Sequence, residues 1–336
     1  MGINDYAIVI GINDYPGFSS LNKACTDAMN IKEWLTSKNG GKIPDTQCRL
    51  LLSGINPSKP IHQHVDEEMQ NLFDLASKNK NAQRFYFYFS GHGIGESPDD
   101  NALCLADWSR TFRIRALSSR DYLNNIVNTG HFEEVFFWLD CCRNSLTGCK
   151  GLPPSNPSIG TGDKTASCRK FIAYATDYTN PAFEASSTNI NSTANNSYFT
   201  MALIEGLKGA AADPDTGIIT PQRLKQYTTS KTSEYAALEN KLQRVEIIDG
   251  LDADTVIQKL EPKKTILNIK FNPNRIGHQI VLIDSKLEPI TNTIAGTDTR
   301  SMELDKSGLY LIQDTVTKEE MPIKIQINIE QHDTEF

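Results

Sequence analysis

Five short stretches of the chain, residues 6–10, 49–52, 84–89, 135–139 and 171–176, are apolar or aromatic almost without interruption. Near-continuous runs of this length predict strands covered on both faces. Between them lie longer segments with apolar residues at three- and four-residue steps. Residues 26–36 carry Ala28, Ile31, Trp34 and Leu35 after Thr26 as the expected cap, and 65–75 carry Met69, Leu72 and Phe73. Residues 198–207 and 221–227 predict two more helices. Strands alternating with helices predict βαβ units and an α/β fold with a mostly parallel central sheet.

Two stretches break the rhythm. Residues 147–166 contain Gly148, Gly151, Pro153, Pro154, Pro157, Gly160 and Gly162 and predict a long exposed loop, a length usually tied to function. Residues 185–197 are rich in Ser, Thr and Asn and predict a mobile segment. Beyond Lys264 the helical period disappears. Segments 265–271, 279–283, 301–304, 309–313 and 323–329 alternate apolar and polar residues between turn signals, which predicts a small antiparallel β domain. The expected division is therefore 1–262 and 263–336.

Composition narrows the function. The 336 residues carry 34 Lys and Arg against 41 Asp and Glu, a net charge of −7, and nucleic-acid or anionic-membrane partners call for clustered positive charge instead. No apolar run approaches the roughly 18 residues that span a bilayer. The first residues lack the basic and apolar regions of a secretory leader, so a cytoplasmic location is expected. Seven cysteines, never spaced C-x-x-C, suit neither a disulfide scaffold nor structural zinc.

Chemistry concentrates at two strand ends. The run 84–89 leads straight into Ser90-Gly91-His92-Gly93, and 135–139 leads into Asp140-Cys141-Cys142-Arg143-Asn144. Open α/β sheets bind ligands beyond the carboxyl ends of their strands, so His92 and Cys142 are expected to meet there. An imidazole that takes the thiol proton activates the sulfur, and later protonates the leaving group. The N–H groups of Gly93 and Cys142 are the expected oxyanion hole.

These two boxes resemble those of the caspase-like cysteine peptidases, nearer the metacaspase and bacterial branch than animal caspases; caspases too place the histidine roughly 50 residues before the cysteine. The stretch 7–12 with Tyr15, Leu21, Ala24 and Asp27 is similar to the family's first strand and helix. The stretch 171–176, followed by Ala182, Glu184 and 198–207, is similar to its small-subunit half. The resemblance covers about residues 5–260. It implies an α/β/α catalytic domain of large-subunit-like (1–150) and small-subunit-like (167–262) halves. It also implies Cys142 as nucleophile, Cys141 as an inert core residue, and Asp27 with Asp140 as the acidic floor of the pocket that takes the residue before the scissile bond. Two carboxylates there suit Arg or Lys and repel Asp; helix capping is the alternative role for Asp27. The family is cut in the loop after the cysteine, so self-cleavage is expected at Lys150, Lys164 or Arg169.

No cofactor is expected. Calcium held by Asp99, Asp100 and Asp107 is the weaker alternative to a solvated acidic loop. The expected partner is a protein or peptide with a basic residue before the cut, and the C-terminal β domain could engage a further protein. Two other functions stay open: an inactive caspase-fold interaction module, and another acyl transfer such as ligation or deamidation.

Overall fold

In the computed structural model the five apolar runs are strands of one sheet. The structure describes residues 2–16, 18–55, 58–158, 160, 162–185, 196–260, 264–304, 308–325 and 330–336. The first part of the chain forms β1 (Tyr6–Gly11), α1 (Ala24–Thr36), β2 (Cys48–Leu52), α2 (His62–Ser77), β3 (Arg84–Ser90), β4 (Gly93–Ser97), β5 (Asp100–Cys104), β6 (Ala116–Ser118), α3 (Ser119–Asn128), β7 (Glu134–Asp140), β8 (Arg169–Tyr174), α4 (Tyr198–Glu205), α5 (Pro221–Leu238) and β9 (Glu246–Asp249). The sheet runs β9-β8-β7-β3-β1-β2. Every pairing is parallel except that of β9 with β8.

Period-two alternation sends each strand's side chains to two cores. Phe85, Phe87 and Phe89 of β3 and Phe137 of β7 pack with Val65, Met69, Leu72 and Phe73 of α2. Phe87 and Phe137 stack at 4.3 Å, and on the alternate positions Tyr86 and Phe136 stack at 4.8 Å. On that second face Trp138 lies 6.5 Å from Trp34 of α1. The central strands β1, β3 and β7 are buried along their whole length, whereas the edge strands β2 and β9 are partly exposed.

The chain divides into two compact units, Met1–Glu205 with Leu224–Thr255, and Gly206–Arg223 with Val256–Phe336. In the second unit β10 (Thr265–Lys270), β11 (Gln279–Ile283), β12 (Pro289–Ile294), β13 (Arg300–Leu304), β14 (Gly308–Asp314), β15 (Glu320–Ile325) and β16 (Gln331–Glu335) form two sheets, β13-β10-β16 and β12-β11-β14-β15. Leu267, Ile269, Ile280, Leu282, Ile312 and Ile323 from both sheets share one core. The expected antiparallel pattern holds except that β10 pairs with β16 in parallel. The expected boundary at 262/263 and residues 326–329 of the last predicted strand lie outside the described residues, as do 186–195 of the polar stretch.

One local expectation is corrected. Helix α1 begins at Ala24, so Thr26 lies inside it and is not its cap; Lys23 is the N-cap and makes no side-chain capping bond. The stretch 147–166 is the expected loop, largely exposed among its described residues, and it is anchored at points: Leu152 bridges to Leu117, and Gly162 and Lys164 donate their N–H groups to the carbonyls of Thr129 and Gly130. Helix α3 stands where the hydrophobic pattern predicts none. Among the described residues no helix is long and apolar enough to cross a membrane.

Candidate active site

Register decides what meets at the carboxyl end of the sheet. Gly11 of β1 pairs with Ser90 of β3, and Ser90 pairs with Asp140 of β7, so three strands finish level. The chain therefore leaves the sheet through Gly91-His92 and Cys141-Cys142 side by side. A Cβ on Gly93 would stand 2.4 Å from the Cys141 sulfur and 2.7 Å from the Cys142 carbonyl oxygen, so only glycine permits this approach. Gly11 plays the same part for α1, since a Cβ there would meet the Ala24 carbonyl oxygen at 2.6 Å. The first turn of α1, with Asp27, thus crosses directly over the strand ends.

His92 is half-buried between aromatic rings, 4.7 Å from Tyr15 and 4.5 Å from Phe18. Its backbone N–H donates to the Tyr15 hydroxyl at 2.8 Å. Its Nε2 lies 2.7 Å from the Ser19 carbonyl oxygen. A carbonyl only accepts, so Nε2 carries the proton and Nδ1 is the basic nitrogen. Burial lowers the imidazole below its ordinary 6.5, opposed by Ser19 and by the charge of Glu184.

Cys142, also half-buried, sits against the main chain of Ala182: the Ala182 N–H lies 3.3 Å from its sulfur, and the sulfur 3.5 Å from the Ala182 carbonyl oxygen. Burial raises this thiol above its ordinary 9.0, the Ala182 N–H lowers it, and Asp140 raises it. Both shifts favour the neutral form of the group. Thiol and imidazole occupy adjacent loops, and each is bonded to a backbone group instead of to the other. Cys141 is buried, accepts from Asn101 Nδ2 at 3.7 Å and is pushed well above the ordinary thiol range by burial.

Arg143 locks the loop behind the nucleophile candidate. It is fully buried, 4.0 Å over the Tyr174 ring, with Nε on Asn101 Oδ1 at 3.2 Å and further bonds to Glu246 and to the Pro98 carbonyl. A planar guanidinium serves such a site because it stacks and donates at once.

Asp27 and Asp140 lie together, both buried. Asp27 accepts from Asn196 Nδ2 at 2.7 Å, the Ser197 N–H at 3.0 Å and Ser90 Oγ at 3.2 Å. Asp140 accepts from Thr200 Oγ1 at 2.5 Å and from Ser197 Oγ. Asp27 is thus not spent on capping its own helix. Burial first, then the charge of Asp140, raises Asp27 well above the usual carboxylate range; burial raises Asp140 to about 6. Among the described residues, the side chains and N–H groups bonded to the pair are neutral.

The three expected self-cleavage positions differ. Lys150 is exposed, and the next residue, Gly151, donates its N–H to Glu96 at 2.5 Å. Lys164 is held by the Ala82 carbonyl at 2.8 Å and Glu133 at 2.9 Å. Arg169 begins β8 and pairs with Glu134 and Asp252. The acidic loop is occupied by protein donors: Asp100 accepts from Ser118, Ser119 and the Arg120 N–H, Arg120 pairs with Asp99 and Asp100, and Arg115 pairs with Asp107. Among the described residues no group of three His, Cys, Asp or Glu could hold a metal.

Sequence reasoning missed Ser19, Asn196 and Ser197, and it singled out Ala182 and the run holding Thr200 for their resemblance alone, with no role in the site. Ser19 and Ala182 act through the main chain, which leaves no mark on residue type, whereas Ser197 just before 198–207 was a visible cap signal.

A probable protease of a Desulfuromonadales bacterium is 31% identical over 222 residues, 62% of this chain and 26% of that protein, so the chain spans about a quarter of the relative's length. The solved structure of pro-sf-caspase-1 aligns at 15% identity and a TM-score of 0.42 over 74% of this chain and 88% of that one. The Bacillus anthracis TIE protein aligns at 15% identity and a TM-score of 0.20 over 29% of this chain and 21% of that one. The caspase domain family, Peptidase_C14, matches residues 4–243, and the chain belongs to that family.

Proposed function

We propose that this chain is a cysteine endopeptidase that cuts after Arg or Lys with His92 and Cys142. The observation that carries the specificity is the buried pair Asp27 and Asp140, bonded beside the thiol to donors that are all neutral among the described residues. Two desolvated carboxylates without a cation are costly by themselves, and a guanidinium or ammonium group relieves that cost. An Asp side chain in the same place adds a third acid.

The chemistry uses the neutral pair. Nδ1 of His92 takes the Cys142 proton as the sulfur attacks the scissile carbonyl carbon. The oxyanion is met by the N–H groups of Gly93 and Cys142. The imidazolium, its Nε2–H on Ser19, gives its proton to the leaving amine, and a water then hydrolyses the thioester with His92 again as base. For the thiol to engage His92, the bond to Ala182 has to open.

Fluorogenic peptides ending in Arg, Lys or Asp test the reading, with wild type beside Cys142→Ala and with or without calcium. Cleavage after Arg and Lys, and at least about 1000-fold weaker cleavage after Asp, is expected, because like-charge juxtaposition in a buried site costs several kcal/mol. Preferred cleavage after Asp would sink the specificity. Self-cleavage obeys the same logic. Lys150, exposed at 144–150, is the favoured position over the anchored Lys164 and Arg169. Lys150→Ala should leave a single band on a gel where wild type gives two fragments, and an unchanged pair of fragments would remove Lys150.

A further inference from the structure

We propose that Glu184 is the positioning residue that ties the loop holding His92 to the segment holding Cys142, which rests on the His92/Cys142 reading above. Its carboxylate accepts the N–H of Lys23 at 2.7 Å and of Asn22 at 3.0 and 3.2 Å. Lys23 is the N-cap of α1 and Asn22 the residue before it, and the Lys23 side chain makes no capping bond to its own helix. A carboxylate is the acceptor such orphaned amides favour, and here it comes from a residue more than 150 positions away in sequence. Three residues before Asn22 is Ser19, whose carbonyl holds His92 Nε2; four residues after Lys23 is Asp27.

On its other side Glu184 belongs to the segment against the thiol. Ala182, two residues earlier, contacts the Cys142 sulfur through both N–H and carbonyl. The Glu184 main chain bridges to Ser197, which binds both pocket acids, and its carbonyl accepts from Lys241 Nζ at 3.4 Å. One side chain therefore joins residues 19–27, with the imidazole's anchor and one pocket acid, to residues 182–185 and 196–197, with the thiol's contact and the donors to both acids. Its negative charge also acts on His92 and favours the imidazolium. Placement and charge are separable, because glutamine keeps an acceptor oxygen and loses the charge.

The test measures kcat, KM and the pH dependence of kcat/KM on an arginine-ended peptide for the full chain, as wild type, Glu184→Ala, Glu184→Gln and Cys142→Ala. Glu184→Ala is expected to lose about 100-fold in kcat, the size of effect that a misplaced catalytic group produces, with a smaller change in KM. Glu184→Gln is expected to recover most of that kcat, while the acid limb of its profile moves to lower pH than in wild type, since the imidazolium has lost a favourable charge. Wild-type kcat in Glu184→Ala overturns the proposal. So does a Gln variant as poor as Ala with an unmoved acid limb, because the carboxylate is then only structural. If Glu184→Ala fails to fold, the Gln variant still decides. A wild type that cuts no peptide refutes the dyad reading itself, and is thereby distinct from an active wild type indifferent to Glu184.

Discussion

Cys142→Ala is expected to lower kcat/KM on arginine-ended peptides by about 10⁴-fold or more, the scale on which removing a nucleophile acts. Its fold should be untouched, since the side chain is half-buried and makes only backbone contacts with Ala182. Cys141→Ala should do the reverse. That sulfur is buried against Asn101 and under Gly93, so losing it opens a small void costing about 1–2 kcal/mol, read as a lower Tm with most activity kept. The pH profile of wild type adds a check on the resting state. A neutral pair is active above the imidazole pKa and below the thiol pKa. The imidazole lies below its ordinary 6.5 and the thiol above its ordinary 9.0, so the plateau should reach beyond both values. An ion-paired dyad would instead need a thiol below the imidazole, and a narrow bell inside those limits would rule out the neutral pair. Loss of activity in Cys141→Ala alone would move the nucleophile by one residue.

How far the sequence foretold this site depends on the kind of signal each part leaves. The runs 84–89 and 135–139 could only be buried strands, and a buried parallel strand delivers its next residues to the open carboxyl end of the sheet, so His92, Cys142 and Asp140 were legible together. Helix α3 was not, because Arg120, Asp121, Asn124, Asn125 and Asn128 mask Tyr122, Leu123 and Ile126 in a ten-residue window. A signal existed: Ser118 accepts the Asp121 N–H at 3.1 Å, a cap three residues before an acid. Strand β9, four residues long, and the exposed β12 carry too little apolar pattern to stand out. Thr26 looked like a cap because capping residues are recognised by type, yet the Cys25 N–H of α1 is accepted by Asn13 Oδ1 and the N–H groups of Asn22 and Lys23 by Glu184 from across the sequence. Long-range acceptors and main-chain anchors such as Ser19 leave no periodicity, and only the folded chain discloses them. The pocket acids stand between these cases, visible as residues but not as a desolvated pair.

That pair yields the prediction with the most unusual sign: Asp140→Asn should make the protein more stable at pH 7.5 while making it a worse enzyme. In the folded chain Asp140 titrates at about 6, against 3.8 when unfolded. A raised folded pKa means the folded state holds its proton more tightly, so stability is lost as pH rises from about 4 through 6. Above that window the ionised carboxylate costs on the order of 2–3 kcal/mol, and an isosteric amide, which still accepts from Thr200 and Ser197, avoids the cost. The Tm gain should therefore be full near pH 7.5 and fade toward pH 4. KM for arginine-ended peptides should rise roughly 100-fold, because the substrate cation loses one of its two buried partners. Asp27→Asn should act in the same direction, and the double variant should gain less than the sum. The Asp140 charge is one cause of Asp27's raised pKa, so removing either acid relieves the other. A variant that is less stable at neutral pH, or that binds arginine peptides as tightly as wild type, would show that the two carboxylates form a structural hydrogen-bond network and not the seat of a cation.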